Sequence, residues 1–111
     1  MELRYYQTSE GRRPFVEWLA GLADRQARAR IQARLAVVAA GSIGDVERAG
    51  EGVLELRIHW GPGYRVYFAK VGDVVILLCG GDKRTQHEDI EQAKTNFEDF
   101  KRRQRKSPRG R

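Results

Sequence analysis

The chain has 111 residues, and 41% of them are hydrophobic, which is enough for one modest core and one domain. Its formal net charge is +6, and its longest strongly apolar run, residues 74–79, falls far short of the roughly 20 residues that a membrane span needs. A single cysteine and two histidines exclude an internal disulfide and a closed structural zinc site, so we expect a soluble domain of a reducing compartment such as the cytoplasm.

The N-terminal part of the chain predicts a strand followed by a helical hairpin. Residues 3–7 are rich in tyrosine, as is typical of a short strand. Pro14 suits the first turn of a helix, and Asp24 is a suitable N-cap for a second helix that ends at Gly41. Apolar residues recur at helical spacing in both helices: Phe15, Trp18, Leu19 and Leu22, then Ala27, Ile31, Leu35 and Val38. Each helix therefore has one face for the core.

The middle of the chain changes from helical to strand periodicity. Residues 41–52 hold four glycines and no apolar period, which predicts a loop. Apolar and polar side chains then alternate through residues 53–59 and 64–70, as expected for two strands that each bury one face. Residues 74–79 are apolar without alternation, which predicts a central strand covered on both faces.

The C-terminal part predicts a last helix and a basic tail. Thr85 and Glu88 have the spacing of a capping box, so the helix is expected to begin there. The elements together predict an α+β fold, with a helical hairpin and a C-terminal helix packed on a small, mainly antiparallel sheet. Residues 1–100 would form this domain and are close to neutral, because seven of the 21 basic residues lie in the tail, residues 101–111. The tail either contacts nucleic acid or is a solvated terminus.

One surface of the predicted sheet combines basic side chains with a tyrosine and a histidine. Strand alternation places four residues opposite the apolar side chains: Arg57, His59, Arg65 and Tyr67. Lys83 and Arg84 follow the third strand and can lie at its edge. Such cations bind phosphate, and a tyrosine ring can stack on an unpaired base. Strands also present these residue types to solvent routinely, so an ordinary exposed face is the competing interpretation.

Several short segments are informative as an ordered set. They are TSEG at 8–11, PF and EWL within 14–19, ELRI at 55–58, GYRVYF at 63–68 and LLCGGDKRTQ at 77–86. In this order they resemble the toxins of the RelE/ParE superfamily, and most closely the HigB-like addiction module killer proteins related to phage Gp49 proteins. The resemblance extends from about residue 3 to residue 100.

The resemblance implies a βααβββα fold and the activity of a type II toxin. Relatives of RelE and HigB cut messenger RNA, usually in the ribosomal A site, without a metal, and no cofactor is implied. The implied partners are the ribosome, its messenger RNA and a small helix-turn-helix antitoxin similar to HigA, which would form a heteromeric complex with this chain.

The resemblance also assigns residues to the reaction. Arg65 and Arg84 match family residues that act on the scissile phosphate. The other members of the implied site are Arg57, Lys83, His59, Tyr67 and Gln86. His59 is the preferred general acid or base, because histidine exchanges a proton near neutral pH. Arg57 and Lys83 would add phosphate contacts.

Departures from RelE leave the chemistry open. RelE has lysines where this chain has Val53 and Glu55, and a tyrosine where it has Ile90. The general base therefore stays open among Tyr67, His59 and Lys83. A non-catalytic toxin, such as a gyrase inhibitor of the ParE kind, and a phage-derived regulator that only binds nucleic acid are the alternatives.

Overall fold

The computed structural model describes residues 1–106. The elements in chain order are β1 (Glu2–Tyr5), α1 (Pro14–Ala20), α2 (Arg25–Ala39), β2 (Val46–Gly50), β3 (Val53–Ile58), β4 (Tyr64–Val71), β5 (Val74–Asp82) and α3 (Gln86–Lys106). A short 3-10 turn, Lys83–Thr85, joins β5 to α3. The five strands form one sheet in the order β1-β5-β4-β3-β2, in which only β1 and β5 run parallel. The predicted α+β class and mainly antiparallel sheet are confirmed.

The start of each helix in the hairpin is explained by its sequence. Pro14 occupies the start of α1, where its missing N–H group costs no hydrogen bond. Asp24 caps α2, because its Oδ1 accepts hydrogen bonds from the backbone N–H groups of Gln26 and Ala27 at 2.9 and 3.1 Å. The apolar stripe of α2 is buried, as predicted.

The sheet is covered on both faces. The hairpin of α1 and α2 packs on one face, where Phe15, Ile31 and Leu56 belong to one buried cluster. Helix α3 packs on the other face, where Phe97 and Tyr67 belong to a second cluster. Each strand side chain therefore lies under one of the two helical layers or at the rim of the sheet.

The structure differs from the sequence prediction at residues 46–50, which form the edge strand β2 and not a loop. This strand pairs antiparallel with β3, so the strands after the hairpin number four and not three. Only Val46 and Ala49 of β2 are even partly buried, so no apolar alternation marks it. Its turn into β3 uses Glu51 and Gly52 with positive φ angles, 55° and 84°, which explains the glycine-rich composition.

Strand β5 also continues through two glycines that resemble a strand exit. Gly80 and Gly81 are needed for close packing, because a Cβ atom at Gly80 would lie 2.2 Å from the Trp18 ring. A Cβ atom at Gly81 would lie 1.8 Å from Oδ2 of Asp89. The glycines therefore allow α1 and α3 to approach the strand from opposite sides.

Helix α3 extends further than the predicted domain. It begins at Gln86, next to the predicted start, and ends at Lys106, so residues 101–106 of the predicted tail are helical. The rest of that tail, residues 107–111, lies outside the described residues. Between residues 1 and 106, no helix is both long enough and apolar enough to cross a membrane.

Candidate functional site

The hairpin of β3 and β4 brings two arginines directly opposite each other. Its register pairs Arg57 with Arg65 and Glu55 with Tyr67, all on the face that α3 covers. Like charges in directly opposite positions destabilise a sheet. Such a pair therefore needs a counter-ion within the fold.

Glu55 is that counter-ion, and its side chain is only 3% exposed. Its Oε1 lies 3.4 Å from Nε of Arg57, and its Oε2 lies 3.1 Å from Nε of Arg65. Oε2 also accepts hydrogen bonds from the Tyr67 hydroxyl at 3.1 Å and from Nε2 of Gln86 at 2.8 Å. We call these five residues, from β3, β4 and the start of α3, the Glu55 cluster.

Arg65 is the most enclosed cation of the cluster. Its residue is 8% exposed, and Nη1 donates to the backbone oxygen of Gly63 at 2.9 Å. Its buried Nε faces Glu55, but the angles are not those of a hydrogen bond, so within residues 1–106 this N–H group has no acceptor. The charge of the guanidinium is balanced, but its unmet buried N–H donor costs free energy.

Lys83 borders the cluster at the mouth of the hairpin. A Cβ atom at Gly63 would lie 3.4 Å from Nη1 of Arg65 and 3.6 Å from Cβ of Lys83, so this turn separates the two side chains by little more than one glycine. Lys83 is exposed, and no ion pair occupies it within the part of the chain that the structure describes. Its ammonium group is available to an anion that reaches the hairpin.

Arg84 lies at the rim and is partly neutralised. Its Nη2 lies 2.9 Å from Oδ2 of Asp82, and its backbone N–H donates to Oδ1 of the same carboxylate at 2.8 Å. The hydrogen bonds from Arg84 lower the pKa of Asp82. The expected cationic edge is therefore present, but its charge is shared with a carboxylate.

Tyr67 corrects the prediction of an exposed stacking ring. The residue is fully buried in the cluster beneath α3. Burial and the neighbouring Glu55 carboxylate raise the pKa of the Tyr67 hydroxyl, so it remains protonated and acts as a hydrogen-bond donor. Strand alternation gave the right face, but the prediction left out the helix that covers this face.

His59 is not brought into the Glu55 cluster. It follows β3, and its Nε2 lies 3.1 Å from Oδ2 of Asp45, with both side chains largely exposed. This hydrogen bond lowers the pKa of Asp45. The histidine lines a groove beside α2, where Arg57 is also found. His59 is therefore adjacent to the site through Arg57 only.

Two acidic residues of the site were missed by the sequence prediction, Glu55 and Asp89. Asp89 lies in the first turn of α3, where burial raises its pKa and the hydroxyl of Thr85 donates to it. Glu55 had a usable signal, because alternation places it on the same face as Arg57. Asp89 had none, because its approach to Gly81 depends on how α3 packs on β5.

The arrangement is suited to binding an anion and not a metal ion. Among residues 1–106, no group of three or more histidine, cysteine or carboxylate side chains is placed to hold a metal. Two guanidinium groups held by one carboxylate, with a lysine beside them, form a typical phosphate-binding set. The buried Cys79 packs in the core, where burial raises the pKa of its thiol to about 12.

The chain is similar to known proteins over most of its length. The family model of phage-derived Gp49-like proteins matches residues 17–101, about three-quarters of the chain. An uncharacterized protein of Haemophilus influenzae is 49% identical over 81 residues, which cover 72% of this chain and 82% of that protein.

Proposed function

This chain belongs to the family of phage-derived Gp49-like proteins, a RelE-like and toxin-like family, and on that premise we propose that it is the toxin of a type II toxin–antitoxin pair. Its activity would be that of a HigB-like endoribonuclease, which cuts messenger RNA at the ribosome and so stops translation in the cytoplasm. The observation that carries the proposal is the directly opposed pair Arg57 and Arg65, which is costly to the sheet and useful to a phosphate.

The cluster supports particular roles in RNA cleavage. The reaction needs the 2′-hydroxyl deprotonated, the negative charge of the phosphorane stabilised and the 5′-oxygen protonated as it leaves. Arg65 and Arg57 would hold the scissile phosphate, while Glu55 and Gln86 keep the two guanidinium groups in place. Lys83 and Arg84 would contact the phosphates at the rim.

Few residues of the site are candidates for transferring a proton to or from RNA. Tyr67 and Glu55 are buried, and their polar atoms are already paired with each other, so we assign neither to proton exchange with RNA. His59 and Lys83 are exposed: Lys83 lies beside Gly63 next to Arg65, and His59 lines a groove that Arg57 also lines. We propose His59 as the group that exchanges a proton with RNA, with Lys83 stabilising the developing charge.

The activity is tested with Arg65→Ala and its matched control Arg48→Ala, an exposed arginine on β2. Both proteins are added to ribosomes programmed with messenger RNA, and new RNA ends are mapped. We expect Arg65→Ala to lower cleavage by about 100-fold or more, as when one donor that stabilises developing charge is removed. Circular dichroism checks that both variants fold. Intact messenger RNA with the wild-type protein would exclude the ribonuclease.

A non-catalytic toxin is the second candidate, and two observations favour it. The carboxylate and phenol nearest to Arg65 are buried, and His59 contacts Asp45 and not the cluster. Such a protein would act by binding alone, as a gyrase inhibitor does. Growth arrest with trapped DNA cleavage complexes and intact RNA would select this candidate over the ribonuclease.

The proposed partner is a small helix-turn-helix antitoxin that covers the Glu55 cluster or its rim. The neighbouring reading frame is the first place to seek it. Coexpression should restore growth and yield a stable complex, and Arg65→Ala should still bind the partner if its fold is intact.

A further inference from the structure

A groove lies between α2 and the end of β3, on the far side of Arg57 from Arg65. Its volume is about 370 Å³, and its lining includes Arg30, Arg34, Val37, Arg57, Ile58 and His59. Pairing between β2 and β3 reaches only Leu56, so the outer edge of β3 is uncovered at Arg57 and Ile58, where the groove lies. This volume is within the range of small-molecule binding sites.

Arg30 provides a flat, supported surface at one side of the groove. Its Cζ lies 3.8 Å from the centre of the Trp60 ring, a distance typical of face-to-face stacking. Trp60 is itself held, because its Nε1 donates to Oδ2 of Asp24 at 3.1 Å. Arg30 is exposed, so the outer face of its guanidinium is open to solvent. Guanidinium planes, like aromatic rings, stack on unpaired bases.

The other two arginines are held by one contact each and keep further donors. Nη2 of Arg34 donates to the backbone oxygen of Ile43 at 3.0 Å. Nε of Arg57 contacts Glu55, while the same side chain lines the groove. Since each guanidinium carries five N–H donors, both retain donors for an anion. The Asp45 carboxylate beside His59 is the negative group at this rim.

We propose that this groove is a second RNA subsite, which holds the nucleotide next to the phosphate at Arg65. The base stacks on Arg30, and the flanking phosphate binds Arg34 and Arg57. The inference rests on the proposed function for its ligand, a single RNA strand, and adds the path of that strand. Arg57 belongs to both the Glu55 cluster and the groove, so a single RNA strand can contact the cluster and the groove continuously.

A single-stranded nucleic acid fits this groove better than an acidic peptide does. The three arginines combine a stacking plane with phosphate donors, as single-strand binding sites do. Val37, at 46%, is the one exposed large hydrophobic side chain of the lining. A peptide helix would need a longer apolar strip for its anchoring side chains.

The subsite is tested by binding of oligouridines with 2′-O-methyl groups, which resist cleavage through the 2′-hydroxyl. Affinities are measured for lengths of three and nine nucleotides, with Arg30→Ala and Val37→Glu as the variants. Their matched controls are Arg25→Ala, an exposed arginine of the same helix, and Val71→Glu, at a valine with 44% exposure far from the groove. Val37→Glu removes no hydrogen bond, so its effect does not depend on lost structure.

We expect the nine-residue strand to bind more tightly than the three-residue strand to the wild-type protein. Arg30→Ala and Val37→Glu should lose roughly tenfold of this affinity, as for loss of one stacked base, whereas the controls should not. Arg34→Gln should reduce the slope of log K against log salt by about 0.7, the value for one phosphate contact of a single strand. Arg30→Lys should keep the slope and lose affinity.

Several results would overturn the subsite. Equal binding by the groove variants and their controls would exclude it, as would the absence of any length dependence. Loss of antitoxin binding by Val37→Glu, with RNA binding unchanged, would assign the groove to a protein partner. Tight, length-dependent binding without cleavage of unmodified RNA on ribosomes would support the subsite and contradict the ribonuclease, so the two failures are distinguishable.

Discussion

At the scale of single residues, Glu55 determines how two arginines can share one sheet face. Its carboxylate contacts both guanidinium groups and accepts hydrogen bonds from Tyr67 and Gln86. Replacement by glutamine removes the negative charge and leaves the size of the side chain almost unchanged. The opposed pair Arg57 and Arg65 would then repel each other without a counter-ion.

Glu55→Gln should therefore lower the free energy of unfolding by about 3 kcal/mol, as expected when one partner of a buried ion pair is removed. The matched control is Glu10→Gln, at an exposed glutamate in the turn before α1, where a change within about 0.5 kcal/mol is expected. Denaturant unfolding measures both. Equal stability of the two variants would mean that the arginines escape to solvent and that Glu55 does not hold them.

The residue scale also marks the limit of what the sequence could predict about the site. Arg57 and Arg65 were expected on one face, and the hairpin register confirms that they share it. The burial of Tyr67 and the approach of Asp89 were not predictable, because alternation along a strand identifies two faces but not the helix that covers each. His59 was misplaced since β3 ends at Ile58, one residue before it.

At the scale of elements, the contacts of strand β5 with α1 and α3 depend on two glycines, Gly80 and Gly81, which have no side chain. Gly80→Ala would place a Cβ atom 2.2 Å from the Trp18 ring, in the layer between α1 and the sheet. We expect a loss of about 2 kcal/mol of stability, the usual range for overpacking. Gly21→Ala, with its nearest Cβ contact at 3.3 Å and a right-handed helical conformation, is the control. Thermal unfolding measures the melting temperature of both variants, and equal values would contradict tight packing at Gly80.

Helix α3 is attached to the other end of the chain through a carboxylate. Asp99 accepts from the Tyr6 hydroxyl at 2.7 Å and contacts Arg103 at 2.6 Å and Arg102 at 2.8 Å. The hydrogen bond from Tyr6 and then that from Arg103 lower the pKa of Asp99. A depressed pKa in the folded state adds stability that is fully present above the unfolded value and is lost as pH falls.

Asp99→Asn should therefore lower the melting temperature by a few degrees at pH 7, and the difference from wild type should shrink as pH falls below about 4, the ordinary value for aspartate. The control Asp73→Asn, in the exposed turn before β5, should show no such trend. Calorimetry at pH 7 and pH 3 measures both. A difference that stays constant down to pH 3 would show that Asp99 acts without its charge.

The prediction of elements was most successful where the period was strong. The buried stripe of α2, the hairpin strands β3 and β4 and the apolar β5 each follow from their patterns. Strand β2 was missed because an edge strand with two exposed sides needs no apolar alternation. The end of α3 was missed because residues 101–106 carry no apolar side chain, and they are held by contacts such as that of Arg103 with Gln7.

At the scale of the whole molecule, the basic residues of the folded domain have to be distinguished from those of the last residues before the role of the positive charge is tested. Arg102 and Arg103 lie in the predicted tail, yet they pair with Asp99 and so belong to the folded domain. Deletion of residues 101–111 should therefore lower the melting temperature, whereas deletion of residues 107–111 leaves these contacts in place. Circular dichroism compares the two. Only the shorter deletion then tests the last residues for RNA binding, through the affinity and its salt dependence.

The pairing of β1 with β5 also determines at what point of translation the sheet can form. Strand β1 leaves the ribosome well before its partner, residues 74–77, so this pair of strands cannot form until β5 has been translated. Gln86, which completes the contacts of Glu55, emerges later still, and α3 must follow before that face is covered. A nascent chain therefore lacks the completed Glu55 cluster until α3 has been translated and has packed on the sheet.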